Sequence, residues 1–205
     1  SFFNPLIELK LTFIFIIFIV HMIQKLIAAT LILILMPLLI IVALAIFIDD
    51  GFPIIYTQRN YGKEHKPFDL YKFRTMKRYT PEIPTEEFDQ PGKYLLKSGN
   101  FLRKFSIDEL PQFFNILQGK LNFIGPRPCM VNNEEIIKEL REKNNIHNTT
   151  PGITGWAQVN GRDLNSYHQK VYLDKYYVDN KSVLMDLKII LKTFYVIILP
   201  KNIKH

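Results

Sequence analysis

Residues 26–47 read LIAATLILILMPLLIIVALAIF, and this stretch decides the fold class. It carries no charge and only one hydroxyl, on Thr30. As a helix it is about 33 Å long, close to the hydrocarbon thickness of a bilayer, so a membrane helix is expected. Ala43-Leu44-Ala45 has the A-x-A form of a signal-peptidase site. That triplet lies inside the apolar run, however, and the run is longer than a signal h-region, which argues against cleavage. Pro37 stands mid-run, where it removes a helical hydrogen bond and crowds the carbonyl four residues back, so a break is expected at Met36-Pro37. Lys10 and Lys25 precede the run, and Arg59, Lys63, Lys66, Lys72, Arg74, Lys77 and Arg78 follow it. Basic flanks favour the cytoplasm, so both ends prefer the same side. The reading taken is a re-entrant helix over about 25–48. A hairpin whose first leg is 11–23, or a straight crossing, are the alternatives.

The rest of the chain is of another kind. Of 205 residues, with 26 basic and 19 acidic side chains, residues 1–48 contain only Glu8, Lys10 and Lys25 as formal charges. This divides the chain into a hydrophobic membrane arm, 1–48, and a charged globular domain, 49–205. Cys129 is the lone cysteine, which excludes an internal disulfide framework and a cysteine zinc site. The histidines at 21, 65, 147, 168 and 205 show no ligand pairing at helical spacing. The net charge of +7 suits an anionic partner, such as a phosphate-bearing ligand or an acidic phospholipid membrane. Nucleic acid is disfavoured, because basic and acidic residues interleave and no basic helix or aromatic–basic signature is present.

Asp49-Asp50-Gly51 and Pro53 end the apolar run. Residues 54–58 and 68–75 read as strands around a turn at 59–62, and 79–98 as a polar, proline-containing loop. Helices are predicted over about 98–118, 133–143 with Asn133 as N-cap, and 165–178. The Gly-, Pro- and Asn-rich segments 119–130 and 149–162 read as structured loops of the kind that carries binding residues. The apolar tail 183–199 is either a core helix or one lying flat at a membrane surface. The fold class is α+β, mostly helical.

The chemistry concentrates in 103–128, RKFSIDELPQFFNILQGKLNFIGPRP. Ser106-Ile107-Asp108-Glu109 has capping-box form, which by itself is an ordinary helix start. Pro111 also favours a start near Asp108. The same geometry places two adjacent carboxylates where free backbone N–H groups favour anions. Cations able to neutralise a diphosphate are near, with Arg103 upstream and Arg127 between two prolines.

Four ordered stretches, FDLYKFRTM, LRKFSIDELPQFFNILQGKLNFIGPRP, PGITGWAQVNGR and YLDKYYVDNKSVLMDLKIILKT, resemble the bacterial sugar transferase family. These are small monotopic phosphoglycosyl transferases of the bacterial inner membrane, with the catalytic domain on the cytoplasmic face and amphipathic helices at the interface. The similarity covers about Lys25 to Lys192. It implies transfer of a sugar-1-phosphate from a UDP-sugar to undecaprenyl phosphate, with UMP released, as the first membrane step of glycoconjugate assembly. It implies Asp108 as the nucleophile forming an aspartyl-phosphosugar and Glu109 as the Mg²⁺ ligand. Lys72, Arg74, Arg103, Arg127 and Arg162 match the substrate-binding basic positions, and Asp174 and Asp186 the C-terminal acidic ones. The family carries serine before the helix-breaking proline and often an acidic residue early in the arm; this chain has Met36 and Ala28-Ala29 there. A non-catalytic lipid-binding module, and a glycosyltransferase releasing UDP instead, are the competing readings.

Overall fold

The computed structural model describes residues 5–80, 91–131, 135–161 and 166–198. It is a mostly helical α+β protein built along one long apolar helix, α1 (Pro5–Asp50). At 46 residues α1 is about 69 Å long, and it is long and apolar enough to cross a membrane. Its helical course runs through Pro37, the site of the expected break, and the helix begins well before residue 25. Pro37 and Leu33, the residue whose carbonyl it frees, are both exposed.

From Gln24 to Asp50, one face of α1 is the floor of the globular part. Ala28 packs with Phe68, Leu70, Ile116 and Leu121. One half of the helix further on, Val42 and Ile46 pack with Phe73, Leu96 and Leu102. At the two ends, the Phe123 amide donates to Gln24 Oε1 at 3.0 Å and the Lys97 amide to Asp49 Oδ2 at 2.6 Å. The other face exposes Leu26, Ile27, Leu33, Ile34, Ile40, Ile41, Leu44 and Ile48. The long-range packing selects one face of a helix that is apolar all round.

Strands β1 (Ile55–Tyr61) and β2 (Pro67–Phe73) form an antiparallel hairpin, and β4 (Cys129–Met130) adds to the free edge of β1. The turn falls at 62–66 rather than 59–62, because Glu64 and His65 take left-handed conformations there. Arg59 is thereby kept in the strand, paired with Asp69 across it at 2.7 Å. The helix predicted over 98–118 is three pieces: α2 (Gly99–Lys104), a 3-10 turn at Ile107–Glu109, and α3 (Gln112–Leu117). Ser106, at φ 55°, and Pro111 divide them. The segments read as loops contain β3 (Asn122–Ile124), parallel to β5 (Gly152–Thr154), and the short α5 (Trp156–Val159).

Helices α4 (Glu135–Lys143) and α6 (Tyr167–Asp179) pack through Ile137 and Val171 around Cys129 and Ile146. The Asn133 cap lies outside the described residues. Ser166 and Gln169 form a reciprocal capping box at the start of α6. Between the two helices Arg141 Nη2 donates to Asp174 Oδ2 at 2.6 Å, both side chains being almost fully buried. Burial pushes the Asp174 carboxyl up, and the Arg141 charge opposes that. Arg141→Met is expected to lower unfolding free energy by about 3–5 kcal/mol in urea titrations, by stranding Asp174. Arg141→Met/Asp174→Leu, which removes both charges, should recover most of it. The tail is α7 (Val183–Ile198), which docks through Ile189 while leaving Leu184, Leu187, Leu191, Phe194 and Tyr195 outward. A core helix is excluded by that exposure.

Candidate active site

The chain leaves β2 into Arg74 and Thr75, and both side chains are buried. The Arg74 guanidinium is taken up by the end of α1. It donates to Pro53 O at 2.6 Å and Gly51 O at 2.7 Å, and it pairs with the Asp50 carboxylate. The last carbonyls of a helix lack intrahelical partners, and here Gly51, at φ +65°, and Arg74 close that end. Arg74 therefore ties the globule to the arm, a role that its basic character in YKFRTM did not distinguish from substrate binding.

Thr75 positions the next cation. Its Oγ1 accepts a hydrogen bond from Arg103 Nε at 2.9 Å. Helix α2 reaches this place because Gly99 has no side chain: a Cβ there would stand 2.3 Å from Thr75 O. Burial draws the Arg103 guanidinium below its usual range, and the nearby charge of Asp108 pulls the other way. Ser106 then turns the chain through a left-handed conformation, and its side chain makes no capping bond, so the capping box expected with Glu109 is not formed. Asp108 and Glu109 lie instead on a separate 3-10 turn before α3. Asp108 is half-buried, while Glu109 is buried and accepts from Arg127 Nη2 at 3.0 Å.

Two buried contacts fasten this turn. Asn115, fully buried in α3, accepts from the Tyr71 amide at 3.0 Å and donates to Asp69 O at 2.7 Å. It satisfies an edge of β2 as a neighbouring strand would. On the other side, the Gly125-Pro126-Arg127-Pro128 loop crosses the Pro151–Gly155 segment almost backbone to backbone. Gly125 N donates to Thr154 O and Gly152 N to Pro126 O, both at 2.9 Å. A Cβ on Gly152 would be 2.1 Å from Gly125 N, and one on Gly155 2.1 Å from Gly125 O. The glycines of PGITG thus permit the crossing that presents Arg127 to Glu109. Alternation of Gly and Pro in two distant segments was the signal available for this, without saying that the two meet.

Of the basic residues expected to bind substrate, Arg103 and Arg127 flank the carboxylate pair. Lys72 is half-buried in β2, on the strand face shared with Phe68 and Leu70. Arg162 lies outside the described residues. Asp186 accepts from the Tyr177 hydroxyl at 2.9 Å, and burial with that bond pushes the phenol up. Asp174 and Asp186 are both structural in this sense. Thr75 and Asn115 were not singled out by the sequence, since their roles exist only through contacts 28 and 46 residues away.

A divalent cation fits the donor set in a limited way. Asp108 and Glu109 offer hard carboxylate oxygens, which suits Mg²⁺ held by one or two carboxylates together with phosphate oxygens. Among the described residues no group of three such side chains converges as an all-protein metal cage would require.

The family model described as bacterial sugar transferase matches residues 16–200. The uncharacterized sugar transferase EpsL of Bacillus subtilis is 41% identical over 161 residues, 76% of this chain and 75% of that protein. The UDP-glucose:undecaprenyl-phosphate glucose-1-phosphate transferase of Escherichia coli is 38% identical over 179 residues, 84% of this chain. The undecaprenyl-phosphate galactose phosphotransferase of Salmonella typhimurium is 34% identical over 164 residues, 73% of this chain. The chain spans only 39% and 34% of the length of those last two proteins.

Proposed function

The chain belongs to the bacterial sugar transferase family, and from that premise we propose that it transfers a sugar-1-phosphate from a UDP-sugar to undecaprenyl phosphate. The observation that carries the reading is the pair formed by the buried Glu109 and the part-exposed Arg127 beside Asp108, with Arg103 on the other flank. An Asp108 oxygen attacks the β-phosphorus of the UDP-sugar, the bond from that phosphorus to the bridging oxygen breaks, and UMP leaves. A phosphate oxygen of the polyprenyl phosphate then attacks the same phosphorus, which breaks the acyl-phosphate bond and regenerates the carboxylate. The covalent step lets a water-soluble and a lipid-anchored substrate be used in turn. Arg103 and Arg127 neutralise the diphosphate and hold it in line, the main tasks in phosphoryl transfer. Glu109, with Asp108, would hold Mg²⁺, which when bound supplies further neutralisation of the phosphate oxygens. In support, curated relatives carry names for this class of reaction.

The test is UMP release from a panel of UDP-sugars with undecaprenyl phosphate in detergent. One or more sugars should give UMP, not UDP, and EDTA should lower the rate at least about 100-fold, with Mg²⁺ restoring it. UDP as the product would overturn the phosphoryl-transfer chemistry, and full activity in EDTA would remove the metal.

The site of action is the cytoplasmic face of the bacterial inner membrane. The outward face of α1 and that of α7 are both apolar and need a non-aqueous neighbour. Both ends of 26–47 rest on the same globular body, through Gln24–Phe123 at one end and Asp50–Arg74 at the other. That supports a re-entrant or surface-lying course rather than a crossing. Cysteines at Gln24 and at the exposed Tyr79, in a Cys129→Ser background, should therefore label from the cytoplasmic side alike. Labelling of Gln24→Cys from outside only, with Tyr79→Cys from inside only, would establish a crossing.

A further inference from the structure

Two lysines of α7 converge on one indole. Lys188 Nζ lies 5.2 Å and Lys192 Nζ 4.6 Å from the centre of the Trp156 ring. Lys192 also donates to Asn160 Oδ1 at 2.6 Å, which fixes its ammonium. Neither lysine forms an ion pair among the described residues; the nearby acid of the same helix, Asp186, is engaged by Tyr177. Two like charges beside one indole ring repel each other, and the ring quadrupole offsets this only in part. Such a pair suits an anion bound between the ammonium groups.

The surroundings select the kind of anion. Lys188 and Lys192, one helical turn apart, border the row of Leu184, Leu187, Leu191 and Phe194 that α7 turns outward. Cations at the edge of an apolar helix face sit where a bilayer places its phosphates. The patch is also joined to the catalytic loop. Thr193 and Thr154 share a hydrogen bond at 2.8 Å, Thr154 O accepts from Gly125 N, and Arg127 follows two residues later. Trp156 itself follows Gly155, which touches Gly125 in the backbone crossing.

We infer that Lys188, Lys192, Trp156 and Asn160 form the docking site for the phosphate of the lipid acceptor, whose chain runs along the apolar face of α7. This rests on the reaction proposed above, and it assigns to the acceptor a site apart from the arginines that hold the diphosphate. A polyprenyl phosphate is favoured over a bulk anionic phospholipid because the patch adjoins the loop carrying Arg127, where the acceptor phosphate has to arrive.

Trp156 is the chain's single tryptophan, so its emission reports this site alone. In non-ionic detergent micelles, undecaprenyl phosphate should change that emission saturably, whereas undecaprenol and inorganic phosphate should not. Phosphatidylglycerol should need at least about tenfold more lipid for the same change. Lys188→Gln/Lys192→Gln should raise the half-saturation for undecaprenyl phosphate by about tenfold or more, and Lys188→Arg/Lys192→Arg should restore it. Formation of the phosphosugar adduct from UDP-sugar alone should be unchanged in the glutamine pair, which shows that the fold and the first step are intact. The inference is overturned if the glutamine pair titrates as wild type, if phosphatidylglycerol matches undecaprenyl phosphate, or if the adduct is lost as well. The titration needs no turnover. A chain that binds the lipid phosphate here but releases no UMP would refute the reaction and not the site.

Discussion

Asp108→Asn is expected to lower turnover by about 10⁴-fold or more while leaving the fold intact. The side chain is half-buried and the substitution nearly isosteric, so stability should change little, as thermal unfolding would verify. With a UDP-sugar and no acceptor, the intact mass of the wild-type chain should rise by one phosphosugar, and that of the variant should not. Glu109→Gln makes the informative contrast. It leaves Asp108 in place but removes the charge that Arg127 Nη2 meets at 3.0 Å. Its loss should be smaller, about 10²–10³-fold, because neutralisation is weakened and not abolished. Equal losses in the two variants, with adduct still formed by Asp108→Asn, would exchange their roles.

The second large effect should come from a methyl group outside the carboxylate pair. Gly152→Ala places a Cβ 2.1 Å from Gly125 N and 2.5 Å from the Ile124 carbonyl carbon. Both neighbours are backbone, so no side chain can rotate away. The crossing has to open, and the hydrogen bonds Gly125 N to Thr154 O and Gly152 N to Pro126 O go with it. A loss of about 3 kcal/mol or more in chemical denaturation is expected, with UMP release failing as Arg127 leaves Glu109. Gly92→Ala is the control, since a Cβ there meets nothing within 4 Å. A Gly152→Ala chain of unchanged midpoint and activity would show that the crossing is not what presents Arg127.

These two residues differ in how far they could be read in advance. That Asp108, Glu109, Arg103 and Arg127 lie together was legible because Asp-Glu before Leu-Pro, Arg103 upstream and Arg127 between prolines all fall within 26 residues. Local chemistry of that density survives without knowledge of the fold. Arg74 was legible only as a cation. Its partners, Asp50, Gly51 and Pro53, are more than twenty residues away, and they turn a candidate phosphate ligand into the tie that closes α1. Ser106 resembled a helix cap by pattern, yet its left-handed backbone makes it the hinge between α2 and the turn carrying Asp108 and Glu109.

What the sequence determined by itself is what short-range physics governs. The uncharged run 26–47 is helical and apolar all round, the strands on either side of Gly62 pair as a hairpin, and helices form at α4, α6 and α7. Tertiary structure decided which face of α1 serves as the floor of the globule, since an all-apolar helix offers no local preference, and contacts such as Phe123 to Gln24 span 99 residues. It also decided that the segment 98–118 is three short pieces instead of one helix. Asn115 bridging to β2 fixes α3, and Gly99 passing close to Thr75 fixes α2, each through its own long-range contact. Periodicity measures which faces are apolar, whereas only the closed packing says what each face meets.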